Sequence, residues 1–498
     1  PSFFLSPFNV TTAPGEDPLL TSLYAQNFVQ GLQQPFSKNL PTNDSSIYVA
    51  ACCKHFVANS LENWMGHSRH NFDAKVSQAD LHNYYFPPFE ECVRAGAAGV
   101  MCSYNAVNGI PACIHPQLLV STLRQDWGFD GYLVTDCGAL TDTINGHGAA
   151  KDPIDASAKA KRASVDVNCG NVFREGLLAA YQSGQIQAST IIDSFRRLAR
   201  IQFRLGLFDP KSYHPDHDIK MVGSHSQLAL EAALQSIVLL KNEPGILPLN
   251  PDQTLAMIGP HINARGVFLS NYNGNPCPGP NYDDCIQSPY ESFAKISNHP
   301  ILSVTGCHVG DSDLNEIQKA VEIAKDADRV ILLVGLDGTQ EQEELDRIET
   351  VLPGLQRQLV RAVLDVALNK TVIVLIHGGT VSLGEDMLAD SAAILSASYG
   401  GVKAAQALAD VVYGRYNPTG KLAATVYPPS FVHEIPLTEM GLSVGVGRTY
   451  MYYTGTPEFE FGHGLSYSAW TVDLVPREEV KVSSSSGASP MMTASARS

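Results

Sequence analysis

The sequence predicts an α/β chain in two parts: a barrel-type unit with a parallel sheet, followed by an open sheet covered on both faces. Three observations carry this. Apolar strand-like runs alternate with amphipathic helical stretches from about residue 47 to 205. A second set of strand-like runs, from 237 to 396, is continuously apolar, the pattern of strands buried on both faces. Between them, residues 206–225 break the rhythm with Gly206-Leu207-Phe208-Asp209-Pro210 and Tyr213-His214-Pro215-Asp216-His217, the composition of a linker.

In chain order, Ile47 to Val57 reads as a strand and Gln78 to Ala95 as a helix. Gly99 to Tyr104 reads as a strand and Pro116 to Trp127 as a helix. A strand over Gly131 to Thr135 ends on Asp136. Helical sequence follows around Ala156 to Ser164, then a short strand at Val165 to Val167, then helices over Val172 to Ser183 and Ala188 to Leu205. In the second part the strands are Ile237 to Leu240, Leu255 to Ile258, Val330 to Leu336, Thr371 to Ile376 and Ala393 to Ser396. Helices Leu314 to Asp326 and Leu355 to Leu368 separate them. The predicted boundaries are a first unit over 1–205, a linker over 206–225, a second unit over 226–455, and a final stretch over 456–498. That last stretch ends Ser/Ala-rich, and its tail reads as disordered.

At 498 residues the chain has ample length for two cores. It carries 34 basic and 50 acidic residues, a net charge of -16. So acidic a surface repels phosphates and disfavours nucleic acid and anionic membrane as partners, while suiting neutral ligands such as sugars. No run reaches the roughly 20 apolar residues of a membrane span, and no export signal is visible at the start. Ten cysteines occur without a CxxC pair. Cys102 and Cys113 bracket a turn-rich loop that a disulfide would staple, and Cys277, Cys285 and Cys307 lie near Pro/Gly/Asn-rich sequence suited to another. With sequons at Asn9, Asn43 and Asn369, these features lead to the expectation of a secreted, extracellular glycoprotein.

Three successive strand tips of the first unit carry polar groups: Lys54-His55, Ser103-Tyr104-Asn105 and Asp136. Strand ends converging on one face are what a barrel active site needs, because the sheet holds the groups while the mouth stays open. The bland alternative for Asp136 is a helix N-cap. In the second unit, the strand Val330 to Leu336 runs into Asp337-Gly338-Thr339-Gln340-Glu341-Gln342-Glu343-Glu344. This acidic loop stands at the edge where open α/β sheets bind ligands; a solvated charge run is its bland alternative. His67 and His70, with His55 and His82 nearby, lack the tighter set of a zinc site, so no metal is expected. No phosphate-binding loop, GxGxxG or GxSxG pattern appears, and no cofactor is expected.

Ala51-Cys52-Cys53-Lys54-His55-Phe56, Leu61-Glu62-Asn63-Trp64, the run Met101 to Gly109, and Val134-Thr135-Asp136-Cys137 together resemble the signatures of family-3 glycoside hydrolases, in the β-xylosidase branch of plants and fungi. Further motifs extend the resemblance over about residues 14 to 470, including Pro14 to Pro18, Ile237 to Asn242, Leu352-Pro353-Gly354 and Phe461 to Tyr467. The resemblance implies a (β/α)8 TIM-type barrel, an α/β sandwich and a fibronectin-III-like third domain. Asp136 falls on the family's nucleophile, Lys54 and His55 on the pair that binds sugar hydroxyls, and Tyr104 on a tyrosine beside the nucleophile. The general acid/base comes from the second domain, with Glu341 the best match and Glu343 its rival, and Asp346-Arg347 follow as in the family pattern. Cys137, where the β-glucosidase branch tends to carry Trp, implies a substrate-binding wall closed on a pentose.

The implied reaction is retaining hydrolysis of β-xylosides from non-reducing ends, with α-L-arabinofuranosides as a second substrate class. An inert sugar-binding relative and β-glucosidase specificity are the alternatives. The chain departs from the family in two places. Only Thr11-Thr12-Ala13 stands between Val10 and Pro14, where the family carries an arginine-rich, sugar-contacting segment. Four or five β/α units precede the linker, so the barrel is expected to be incomplete and the third domain cut short.

Overall fold

A computed structural model of the protein describes residues 14–34, 46–209, 222–274, 276–277, 285–310 and 316–468. The Asn9 and Asn43 sequons, most of the expected linker and the expected tail beyond 468 lie outside the described residues.

Helix α1 (Pro18–Gln33) opens the first unit. Pro18 starts it, and the Asp17 carboxylate caps it by accepting the Leu20 N–H at 2.7 Å. Strands β1 (Cys52–Phe56), β2 (Gly99–Cys102) and β3 (Tyr132–Thr135) form a parallel sheet in the order β1-β2-β3. The expected strand at Val165–Val167 is reduced to a single parallel bridge from Val167 to Val134. Helices α2 (Pro87–Arg94), α3 (Ala139–Asn145), α4 (Pro153–Arg162), α5 (Val172–Gln182) and α6 (Ala188–Arg204) surround the sheet. Its core gathers Phe56, Phe89, Val100, Leu119, Leu133 and Leu140, and is closed by Leu437, Met440 and Leu442 from the far end of the chain.

The second unit is a six-stranded sheet. In chain order its strands are β4 (Val238–Asn242), β5 (Leu255–Ile258), β6 (Leu302–Val304), β7 (Arg329–Gly335), β8 (Thr371–His377) and β9 (Ala393–Ser398). They lie in the spatial order β6-β5-β7-β8-β9-β4, and all neighbours are parallel except β4, which pairs antiparallel with β9. Alternation explains the continuous apolar runs. Leu255, Met257, Ile331, Leu333, Val372 and Val374 pack into one core, with the helix Ala404–Val412. Their neighbours Ala256, Ile258, Val330, Leu332 and Ile373 pack into the other, with Ile317–Asp326 and Gln356–Ala367. Both faces of the central strands are covered, so their middle positions are apolar throughout.

Residues 456–468 lie on this second unit, where Phe459 bridges to Val426 and Leu465 to Leu239. The two units are also joined directly. Glu16 is buried and accepts the Thr425 hydroxyl (2.6 Å) and the Tyr450 N–H (2.9 Å), while the Tyr85 hydroxyl donates to Met440 O (3.0 Å).

Four disulfides are present among the described residues: Cys53–Cys92, Cys102–Cys113, Cys137–Cys169 and Cys277–Cys285. The expected Cys102–Cys113 staple is there. In the Cys277, Cys285 and Cys307 group, the first two form the disulfide and Cys307 is a buried thiol. Asn369 is exposed just ahead of β8, so its side chain is accessible as a sequon.

Candidate active site

Strand β3 delivers Asp136 at its C-terminal tip. Its N–H donates to Cys102 O (3.1 Å), fixing the backbone to β2, and its Oδ1 accepts the Cys137 N–H at 2.8 Å. Gly138 (φ +89°) then turns the chain, in a conformation that costs a residue with a Cβ, and it is Gly138 that stands at the N-cap of α3. The cap reading for Asp136 therefore does not apply. Asp136 Oδ2 has no well-formed hydrogen bond among the described residues, and His55 Nε2 lies 3.3 Å from it. A carboxylate braced through one oxygen, with no hydrogen bond at the other, suits nucleophilic attack.

Burial pushes the Asp136 carboxyl above the usual aspartate range, against the Cys137 N–H, Tyr104, Lys54 and Arg69, which favour its charge. Burial likewise holds the His55 imidazole well below the usual histidine range, so it is neutral. The Tyr104 hydroxyl donates to Cys137 O at 3.0 Å, and the Arg69 guanidinium stacks 4.5 Å from the Tyr104 ring centre. Lys54 Nζ stands 4.5 Å over the ring of Tyr272, a second-unit residue. Lys54, His55, Tyr104 and Asp136 thus cluster at one end of the sheet.

Glu341 does not join them. At 3% exposed, its carboxylate faces the interior of the second unit. It accepts the Gly378 N–H (2.7 Å), the Gly379 N–H (3.1 and 3.0 Å) and the Tyr399 hydroxyl (2.9 Å), with Arg347 Nε 3.5 Å away. The expected second catalytic acid, Glu341, is thus enclosed by four donors of its own unit. Its rival Glu343 has a side chain 41% exposed and accepts Arg69 Nη1 at 2.9 Å and the Tyr272 hydroxyl. Tyr104 feels the charges of both Asp136 and Glu343, and burial pushes its hydroxyl well above the usual tyrosine range. The loop that carries Glu343 begins at Gly335 (φ +145°), where a Cβ would sit 1.9 Å from Ile376 O.

Cys137 is exposed, but its sulfur is bonded to Cys169. The expected wall is therefore a disulfide, not a thiol. Arg69 and Tyr272 are absent from the sequence-derived set. Arg69 follows a two-stranded turn (Asn63–Trp64 with His67–Ser68), and Tyr272 stands in irregular Asn/Gly/Pro sequence, so no periodicity marks either. His70 Nδ1 pairs with Asp142 Oδ2 at 2.7 Å, and no group of three or more His, Cys, Asp or Glu is placed to hold a metal among the described residues.

Beside Glu62, Asp346 is buried and burial pushes its carboxyl up to about 7, with Glu62 adding to the shift. A raised acid adds stability fully present below the unfolded value and lost as pH rises through the folded one. Asp346→Asn is therefore expected to gain stability relative to the parent between about pH 4 and pH 8, by up to about 4 kcal/mol. Parallel urea titrations at the two pH values measure this, and an unchanged difference contradicts it.

The architecture, a parallel-sheet unit with a strand-tip acid linked through Tyr104 and Arg69 to a loop acid from a doubly wound unit, is that of a two-domain glycoside hydrolase. The chain belongs to glycoside hydrolase family 3: residues 11–201 match the family's N-terminal domain and residues 237–467 its C-terminal domain. It is 39% identical to "Probable beta-D-xylosidase 7" of Arabidopsis thaliana, over 92% of this chain and 60% of that relative. It is 38% identical to "Beta-xylosidase/alpha-L-arabinofuranosidase 1" of Medicago sativa subsp. varia, over 91% of this chain and 59% of the relative. A solved family-3 exo-beta-xylosidase in complex with a xylobiose aziridine activity-based probe superposes with a TM-score of 0.84 at 32% identity, covering 94% of this chain and 61% of that one. The chain spans about 60% of the length of these relatives.

Proposed function

We propose that the protein is a retaining exo-acting β-xylosidase, with Asp136 as nucleophile and Glu343 as acid/base. One observation carries the reading: Glu343 of the second domain reaches the Asp136 pocket through Arg69 and Tyr104. Asp136 Oδ2 attacks the anomeric carbon while Glu343 donates a proton to the departing oxygen. Glu343 then removes a proton from the water that releases the sugar. Lys54, His55 and Tyr104 hold the sugar hydroxyls, and the Cys137–Cys169 disulfide narrows the pocket to a ring without a hydroxymethyl group. The names of the Arabidopsis and Medicago relatives support xylosides, and that of the Medicago protein supports α-L-arabinofuranosides as a second substrate class. We read the three parallel strands and the Val167 bridge as part of a (β/α)8 barrel. The domain limits remain those read from sequence. Four disulfides and the exposed Asn369 support a secreted glycoprotein.

The test is purified chain with aryl β-xyloside, β-glucoside and α-arabinofuranoside. Preference for the xyloside is expected; a folded chain that binds xylose but turns over none of the three replaces this reading with the sugar-binding one.

The charge states predict the pH profile. Asp136 must be ionised, yet burial raises it. Glu343 must begin protonated, yet although burial pushes it up, the Arg69 and Tyr272 hydrogen bonds outweigh that and hold it below the usual glutamate range. Activity is lost at low pH as Asp136 protonates and at higher pH as Glu343 ionises, so kcat/KM is expected to trace a narrow bell on the acid side of neutrality. A plateau extending past pH 8 would remove Glu343 as the proton donor.

A further inference from the structure

We infer that Asp346 is a positioning residue for this reaction: its carboxylate latches the Glu343 loop onto the first domain and so sets where Glu343 stands over Asp136. The inference rests on the assignment of Glu343 above. Asp346 Oδ2 accepts two consecutive backbone donors of the first domain, the Glu62 N–H at 2.6 Å and the Asn63 N–H at 3.0 Å, and the Asp346 N–H donates to Asn63 O at 3.4 Å. A single residue thus grips two consecutive residues, 284 and 283 positions away in sequence, through three hydrogen bonds. Asp346 is 5% exposed, and its Oδ1 is buried without a hydrogen-bond partner among the described residues, so the carboxylate is committed to this contact.

The gripped residue belongs to the same network as the proposed acid. Glu62 Oε2 accepts Arg69 Nη1 at 2.8 Å and the Glu344 N–H at 3.2 Å, while Arg69 reaches Glu343 at 2.9 Å and Glu344 at 3.2 Å. The charged groups around Asp346 are therefore Glu62 and Arg69 from the first domain and Arg347, Glu343 and Glu344 from its own loop. On the other side, Glu341 is tied into its own domain by Gly378, Gly379 and Tyr399. The loop is thus anchored at Glu341 to one domain and at Asp346 to the other, and between them Glu343 meets Arg69 and Tyr272. Released at one end, Glu343 can move by more than the ~1 Å that costs about 100-fold in rate.

The test compares Asp346→Ala and Asp346→Asn with the parent on two β-xylosides, one with a good aryl leaving group and one with a poor alkyl leaving group, per folded active site. Asp346→Ala is expected to lose about 100-fold in kcat/KM on the poor leaving group and less than about 5-fold on the good one. Asp346→Asn keeps an acceptor for both N–H groups and is expected to stay within about 5-fold on both. Equal losses on the two substrates mean a merely structural role and overturn the inference. If the Ala variant does not fold, Asp346→Ser takes its place, its hydroxyl being too short to hold both donors. Amide hydrogen exchange gives a second readout independent of turnover. Exchange at Glu62 and Asn63 should quicken in the Ala or Ser variant while β7 stays protected, and unchanged exchange also overturns the inference. The two readings fail separately. Should Glu343→Gln show no dependence on leaving group, the acid assignment falls and exchange alone decides the latch; should Glu343→Gln show it and Asp346→Ala not, only the latch falls.

Discussion

Asp136→Asn is expected to lower turnover of an aryl β-xyloside by at least about 10⁴-fold while leaving the fold intact. An amide cannot displace a leaving group from the anomeric carbon, so the covalent intermediate is lost and with it the route it opens. The change is nearly isosteric. Asn keeps an oxygen for the Cys137 N–H that Asp136 Oδ1 now accepts at 2.8 Å, and the Gly138 turn is untouched. Burial already disfavours the charge at this position, so removing it should leave thermal stability equal or raised. Circular dichroism and a melting curve check the fold, and steady-state kinetics check the rate. Turnover within about tenfold of the parent, from a folded variant, takes Asp136 out of the mechanism.

Much of this site was legible in the sequence because a strand dictates where its last residue goes. Lys54-His55 lie near the end of β1, and Tyr104 and Asp136 stand within two residues of the ends of β2 and β3, so three parallel neighbours present their tips on one face. The same holds for five strands of the second sheet, whose apolar runs appear within one or two residues of the strands found, while the short, mostly exposed edge strand β6 was not legible. What sequence could not supply was orientation within a loop. In the run Glu341-Gln342-Glu343, two acids two apart differ wholly in fate. The Gly378–Gly379 N–H pair at the tip of β8 draws Glu341 inward, and Arg69 draws Glu343 outward. Neither partner is near in sequence, so no local pattern distinguishes the two. Long-range pairing also hid the antiparallel turn of β4, because a strand buried on both faces reads alike in either direction.

The contrast between those two acids yields the other large effect. Glu343→Gln is expected to slow xylosides with poor leaving groups by about 10²–10⁴-fold while sparing the first step on activated aryl xylosides, because only a poor leaving group needs the proton. Release of the sugar, which needs Glu343 as base, then limits the activated substrates. Added azide should restore that step by attacking the intermediate without base help, giving a xylosyl azide. Glu341→Gln should behave otherwise. Its amide oxygen still accepts the Gly378 N–H, but Arg347, buried beside it at 3.5 Å, loses its counter-charge. Breaking a buried pair in this way costs about 3 kcal/mol, so the variant should melt earlier and lose rate by a similar factor on every substrate, without azide rescue. A leaving-group dependence in Glu341→Gln and none in Glu343→Gln would return the acid/base role to Glu341, and would require the loop to turn over so that Glu341 leaves its four donors.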